Sequence, residues 1–271
     1  MLFRSSLRNK KGELVRLTTK KEGEKSVIDE LDTSGAAWLF GSDDANVSFA
    51  GALQFSEARL LAFPIRSAKG SFAWITCPLM LQRAARDGVI DKGLVPAFPK
   101  PAAGQPDKSD EQAFLAASSP LALGDKLVLE EYTFTRIGNE EASKAATALE
   151  KSLQDPVWQE VASRLVILSN GMMSFFAQNA CEVAQHVRID DETGTAAGGA
   201  LFNQENVPSE TLFYSVLHGF DERTANKSKS DRRKAEAALN AFGEKVAAKP
   251  VFQFGGDAST GLGYCTVKLS G

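Results

Sequence analysis

The stretch ALQFSEARLLAFPIRSAKGSFAWITCP, residues 52–78, reads as two strands joined by a short turn. Ala52 to Ile65 alternates, with Leu53, Phe55, Leu60, Leu61 and Phe63 as the apolar positions, and Phe72 to Cys77 is a second apolar run that stops at Pro78. Proline cannot donate to a strand ladder but suits the first turn of a helix, so Pro78 to Asp87 is expected to be helical. The segment between the strands, Arg66-Ser67-Ala68-Lys69-Gly70, is a polar turn carrying two cations.

Outward from this hairpin, Val95 to Asp110 (VPAFPKPAAGQPDKSD) has no periodicity and is expected to be a proline-rich surface loop. Leu127 to Ile137 alternates as a strand. Glu140 to Leu153 is an alanine-rich helix capped by Asn139, and Asp155-Pro156 opens another helix that gives way to a strand at Leu165 to Leu168. Gly171 to Gln185 reads as a helix with Met172, Phe175, Phe176 and Val183 as its core stripe. Val187 to Val207 reads as a projecting β-hairpin with a polar Thr/Gly/Ala tip. After it come a β-prone run, Thr211 to Leu217, a helix, Ser230 to Lys245, and a final strand-loop-strand. Strands and helices interleave without regular βαβ spacing, which favours an α+β fold: a ferredoxin-like sheet with helices on one face, forming a single domain over residues 1–271.

The final loop, FQFGGDASTGLG at residues 252–263, places Gly255, Gly256, Gly261 and Gly263 among Asp257, Ser259 and Thr260. Glycines allow positive φ and let amides converge on an anion, with hydroxyls as further donors. The spacing matches neither the P-loop nor the dinucleotide fingerprint. An alternating run follows, Tyr264 to Leu269, so the loop taken alone favours a tight hairpin turn over an anion cradle.

The chain has 271 residues, 43% hydrophobic and 24% charged, as expected of an ordinary globular protein. No apolar run has transmembrane length and the polar start is no secretory signal, which points to the cytoplasm. Cys77, Cys181 and Cys265 lack any metal-ligand spacing and read as small buried hydrophobes. His186 and His218 stand alone, so a multi-histidine metal site is excluded and no metal site is assigned. The net charge of −3 conceals two basic blocks. One comprises Arg4, Arg8, Lys10, Lys11, Arg16, Lys20, Lys21 and Lys25; the other comprises Arg223, Lys227, Lys229, Arg232, Arg233 and Lys234. Each is either solvated surface, with the arginines of the second facing water, or the footprint of a polyanion.

Three blocks carry a family resemblance: residues 50–81 (AGALQFSEARLLAFPIRSAKGSFAWITCPLML), residues 187–215 (VRIDDETGTAAGGALFNQENVPSETLFYS) and residues 255–263 (GGDASTGLG). In this order they resemble the RAMP superfamily of CRISPR effector proteins, and within it the backbone subunit of type III-B Cmr complexes, the fourth Cmr protein. The resemblance implies an RNA-recognition-motif-like, ferredoxin-like palm with a projecting thumb at residues 187–207. It implies copies of the chain stacked with other Cmr-type subunits along a CRISPR RNA, each thumb wedging into the duplex of guide and complementary target RNA. Phosphates and 2′-hydroxyls carry no sequence information, so backbone contacts would hold any guide.

By the same resemblance, Gly255, Gly256, Ser259, Thr260, Gly261 and Gly263 form an RNA-facing loop. Arg66 and Lys69 lie in a strand-to-turn block that meets RNA, and Arg188, Thr193 and Thr195 lie on the thumb. Ser5-Ser6-Leu7-Arg8 resembles the family's guide-binding serine turn, making Ser6 and Arg8 contacts, although Arg8 and Asn9 stand where the family has lysine and glycine. Without the resemblance, Arg66 and Lys69 read as a satisfied surface pair.

The family's target-cleaving aspartate precedes that serine turn, and this chain is expected to start after it. Asp43, Asp44, Asp190, Asp191 and Glu192 are therefore given no catalytic role; acids beside a turn commonly cap it. RNA binding needs no cofactor, whereas cleavage would use a divalent ion, Mg²⁺ or Mn²⁺. Two other readings stand beside the RNA-binding one: a freestanding metal-dependent nuclease or phosphate-ligand enzyme, and a module that contacts protein alone.

Overall fold

The structure, a computed structural model, describes residues 18–22, 25–30, 36–44, 47–138, 140–153, 155–224 and 228–270. Ser6 and Arg8, the basic run from Arg4 to Arg16, the cap Asn139 and Lys227 lie outside the described residues. The chain forms two compact units, Met1–Glu57 with Ser215–Gly271, and Ala58–Tyr214.

The first unit opens with an antiparallel pair, β1 (Thr18–Glu22) and β2 (Lys25–Glu30). The short helix α1 (Ala36–Phe40) leads into a second antiparallel pair, β3 (Gly41–Asp44) and β4 (Val47–Ala50), and then β5 (Leu53–Phe55).

The second unit is built on β6 (Arg59–Ser67) and β7 (Ser71–Thr76), an antiparallel hairpin as expected, although the single strand expected over Ala52–Ile65 is split and its Leu53–Phe55 part is the separate strand β5. Helix α2 (Pro78–Arg86) follows with proline in its first turn. The loop at 95–110 carries no regular element until its last two residues, and Phe98 anchors it edge-on against Phe114. Next come β8 (Gln112–Leu115), β9 (Lys126–Leu129), β10 (Tyr132–Arg136), α3 (Glu140–Leu153), the short α4 (Val161–Arg164), β11 (Leu165–Ile167) and α5 (Asn170–Asn179). A ribbon of β12 (Glu182–Ile189) and β13 (Ala196–Asn206) and then β14 (Leu212–Tyr214) complete this unit.

Its sheet has seven strands in the order β14-β6-β7-β11-β8-β10-β9, and β9 returns to the end of β6 through Ser67 and Leu129. Amide donors from Ala68 to Val128 and from Glu130 to Arg66 stitch that closure. Alternation sorts the strand residues between two cores. Leu61, Trp74, Leu165 and Ile167 pack with Leu81, Ala84 and Ala85 of α2 and with Ala142, Ala145, Ala146 and Leu149 of α3. Phe63, Ile65, Ala73, Ile75 and Val166 pack with Met173 and Phe176 of α5. Helices therefore cover both faces, not one, because an almost closed sheet of largely apolar strands has two surfaces to bury.

Several expected boundaries are corrected. The single strand at 127–137 is the hairpin β9–β10, turned by Glu130 at φ 49°. The helix expected to run to Gln185 ends at Asn179, and its buried positions are Met173 and Phe176, while Phe175 and Val183 are exposed. The hairpin expected from Val187 accordingly begins at Glu182, so its first arm is longer, and the acids Asp190, Asp191 and Glu192 sit at its tip.

The first unit resumes with β15 (Leu217–Gly219) antiparallel to β5, α6 (Ala235–Ala248), and the final pair β16 (Val251–Gln253) and β17 (Tyr264–Thr266). Its core joins Trp38, Leu39, Ala52 and Leu53 to Ala238, Phe242 and Val246 of α6. The second basic block does not simply face water. Arg233 stacks over Trp38 at 4.5 Å and lies 3.8 Å from the buried Glu222, Arg223 donates to the Gly51 carbonyl, and Lys234 pairs with Asp221. Among the cysteines, Cys77 is buried but Cys265 is exposed, because β17 is an exposed strand.

Candidate nucleic-acid interface

The glycine loop is a ten-residue connection between β16 and β17, held by backbone hydrogen bonds and by the side chain of Gln253. The Gln253 carboxamide nitrogen lies 3.1–3.3 Å from the carbonyls of Phe254, Gly255, Gly256 and Leu262. Each peptide plane carries its N–H opposite its C=O, so drawing the Phe254 and Gly255 carbonyls inward turns the Gly255 and Gly256 amides outward. Thr260 closes a turn by donating both amide and hydroxyl to the Asp257 carbonyl, and Ser259 is exposed. Gly255, Gly261 and Gly263 take φ of 77°, 86° and 75°, which favours glycine. At Gly263 space also decides, since a Cβ would stand 1.9 Å from the Phe254 carbonyl oxygen. A Cβ at Gly255, Gly256 or Gly261 would meet nothing within 4 Å, so those positions leave an open surface.

Arg66 and Lys69 belong to the other unit, on the β6–β7 turn. Arg66 forms a two-pronged pair with Glu130, Nε to Oε1 at 2.9 Å and Nη2 to Oε2 at 2.8 Å, yet its side chain is 85% exposed. That pairing is the satisfied-pair alternative, and it spends one edge of the guanidinium while leaving the rest on the surface. Lys69 donates to the Ala122 carbonyl at 2.7 Å; a carbonyl leaves its charge uncompensated. Arg164 clamps the same turn by donating to the carbonyls of Gly70 and Phe72.

The β12–β13 ribbon holds Arg188, Thr193 and Thr195. Arg188 is exposed next to a register irregularity, opposite residues 197–200 of β13. Thr193 and Thr195 share a hydrogen bond at 2.9 Å, and Asp190 accepts from the amides of Glu192 and Thr193 and from the Thr193 hydroxyl. Those donors, the Thr193 amide first, hold the Asp190 carboxyl below the usual carboxylate range. Asp190 is thus a turn cap. Among the described residues, no three His, Cys, Asp or Glu groups are gathered to hold a metal ion, and no helix is long and apolar enough to cross a membrane.

The structure brings Arg66 together with Lys69, and Arg188 together with Thr193 and Thr195, while the glycine loop forms its own cluster in the first unit. Sequence reading missed Gln253, Glu130 and Arg164, which shape these turns; polar residues of such ordinary types announce no role until the backbone around them is known.

The RAMP superfamily profile matches residues 2–266, nearly the whole chain. The chain belongs to the RAMP superfamily. Within it, the chain is 27% identical over 246 residues, 90% of its length and 78% of the relative's, to the CRISPR system Cmr endoribonuclease Cmr4 of Pyrococcus furiosus. Its fold is similar to that of oligomeric Cmr4 from Pyrococcus furiosus, at a TM-score of 0.54 and 21% identity over 80% of this chain and 72% of that one. It is also similar to a chain of the type III-B Cmr-beta complex in its apo state, at a TM-score of 0.56 and 15% identity over 86% of this chain and 75% of that one. These RAMP structures share the mixed α+β architecture described above.

Proposed function

We propose that this chain is a CRISPR RNA-binding backbone subunit of a type III-B-like effector complex in antiviral defence. It acts in the cytoplasm beside copies of itself and other Cmr-type subunits, and holds the guide while the complementary target RNA pairs with it. The observation that carries this reading is superfamily membership over residues 2–266 combined with the Cmr4 relative that aligns with 90% of the chain. The seven-stranded sheet and its helices serve as the ferredoxin-like, RNA-recognition-motif-like palm, and the β12–β13 ribbon serves as the thumb. The outward amides of Gly255 and Gly256 with exposed Ser259, and the cations Lys69, Arg66 and Arg188, supply donors for phosphate and 2′-hydroxyl groups, a chemistry blind to base identity.

Holding RNA in this way needs no cofactor. Cleavage of the target, the activity in the relative's name, would draw on a divalent ion, Mg²⁺ or Mn²⁺, held between a carboxylate and an RNA phosphate. Asp190 is not offered for that role, because its Oδ1 already accepts three donors of the turn.

Fluorescence anisotropy with end-labelled single-stranded RNAs of unrelated sequence tests the reading. Roughly 3 to 5 phosphate contacts per subunit give a log-log salt slope of about −2 to −3.5 for every sequence. Affinity independent of salt would favour a module that contacts protein alone, and affinity confined to one sequence would contradict backbone recognition. Sequencing RNA that co-purifies with the chain from its host supplies the second arm, where repeat-derived guides are expected.

A further inference from the structure

A groove of about 590 Å³ lies wholly within the second unit, where β6, the β9–β10 hairpin, the end of α5 and the approach to β14 come together. Ile65 and Phe176 are buried in its lining, and Pro64 and Pro208 are half-buried. Three rings of the lining stand edge-on to one another. Tyr132 is 5.3 Å from Phe175 and 5.6 Å from Phe176, and Phe175 is 5.6 Å from Phe176. These contacts fix the rings, and Phe175 is still 38% exposed, so part of a fixed aromatic surface is open to a ligand.

The charged residues of the lining are Arg66, Glu130, Glu131 and Glu182, three carboxylates against one guanidinium. Arg66 is already matched by its fork with Glu130. Glu131 and Glu182 are exposed, and among the described residues neither forms an ion pair. Glu205 adds to the negative field: burial first, and then this carboxylate, push up the thiol of Cys181, which also lines the groove. A phosphate chain is repelled here, so RNA is the wrong occupant. An apolar lining, an open aromatic ring and unmatched carboxylates suit instead a long side chain with an apolar stem and a cationic head. Arg66 displays the favoured form of that head, a planar fork that meets one glutamate with two hydrogen bonds. We propose that this groove docks an arginine-bearing segment of a partner polypeptide, its stem against Pro64 and Pro208 and its guanidinium at the Phe175 ring and the unmatched carboxylates. The proposal stands apart from the RNA-binding reading: Arg66 lines the groove as the partner of Glu130, while Lys69 and the glycine loop do not line it.

The test titrates the full chain into a fluorescein-labelled glycine-serine peptide carrying a pair of arginines and follows anisotropy. Binding is expected, and the same peptide with citrulline, the neutral isostere, in place of arginine is expected not to bind. Glu131→Gln and Glu182→Gln together should lower affinity roughly fivefold to tenfold with Tm unchanged, as for the loss of two exposed ion pairs. Phe175→Leu keeps an apolar side chain and removes the ring, and should lower affinity roughly threefold. Glu236→Gln, an exposed acid on α6 in the first unit, should change nothing. RNA affinity should not fall in the double glutamine variant, which separates this groove from the RNA-facing donors. Failure of the arginine peptide to bind at millimolar concentration overturns the proposal, as does undiminished affinity in the double variant. An equal loss in Glu236→Gln would reduce the effect to diffuse charge attraction and overturn it too. Displacement of the peptide by spermidine at equal concentration would make the groove a polyamine site and overturn the polypeptide as its occupant.

Discussion

Gly263 and Gly256 sit in one loop and answer to different constraints. At Gly263 the backbone has φ 75° and a methyl group would collide with the Phe254 carbonyl, whereas at Gly256 a methyl group meets open space. Gly263→Ala should therefore break the loop geometry at a cost of about 2 kcal/mol or more, and Gly256→Ala should leave the fold unchanged. The pair of substitutions separates shape from access: melting temperature falls for the first alone, while RNA affinity falls for the first and, if the Gly256 amide must be closely approached, for the second. Asp87 gives a second prediction at this scale. It accepts from Tyr214 at 2.9 Å, pairs with Arg59 at 2.5 Å and meets Arg86 at 3.3 Å. Tyr214 first, then the two arginines, hold its carboxyl below the usual range. A depressed folded pKa means the stabilisation is complete above the unfolded value of about 3.9 and is lost as pH falls through the lower folded value. Asp87→Asn should lower Tm at pH 7 and flatten its fall below about pH 4; parallel acid limbs for the two proteins would show that Asp87 adds nothing to the pH dependence.

Elements defined by periodicity and by proline were legible in the sequence, and those defined by a partner were not. Strand β7, α2 after Pro78 and α3 from Glu140 to Leu153 stand where the apolar pattern put them, whereas the run expected as one strand over Ala52–Ile65 is broken into β5 and β6, which pair in different sheets. The hairpin at Glu130 was not legible because its turn rests on a glutamate at positive φ, held by the Arg66 fork and by its own amide bonded to the Arg66 carbonyl. Neither the fork nor the bond exists until residues 64 positions apart meet. The end of α5 was missed for a related reason. Val183 continues the apolar spacing of the helix, but it belongs to a strand whose partner lies beyond the turn. Its exposure, and that of Val187 and Leu201, bears on what the ribbon contributes to stability. Replacing residues 183–205 by a short glycine-containing turn removes little buried apolar area, so the shortened chain should keep its Tm within a few degrees and its circular dichroism apart from the lost strand. A collapse of the melting transition would place the ribbon in the core.

At the scale of the whole chain, an acidic protein that binds a polyanion must divide its cations between binding and holding itself together, and the two basic blocks cannot be read alike. The second block is tied into the first unit. Arg233 covers Trp38 and faces the fully buried Glu222 carboxylate, and Arg223 lies over Phe220 while donating to the Gly51 carbonyl. Composition alone could not separate these from free cations, because a charge run carries no record of which carboxylates and rings fold beneath it. Lys69 is the opposite case, a lysine whose described partner is a neutral carbonyl. Arg233→Ala strips a ring contact and one cation from the buried Glu222, which still accepts from the Thr224 hydroxyl and the Arg233 amide. The arginine is partly solvated, so the loss should be about 1–2 kcal/mol, read as a lower Tm, with the salt slope of RNA binding unchanged. Lys69→Ala should do the reverse, leaving Tm within error and reducing the slope by about 0.7, the share of one phosphate contact on a single strand. Measured side by side, the two variants divide the chain's charge into its structural and its RNA-facing parts. A slope that moved with Arg233 and not with Lys69 would transfer the interface to the first unit and undo the assignment of the β6–β7 turn.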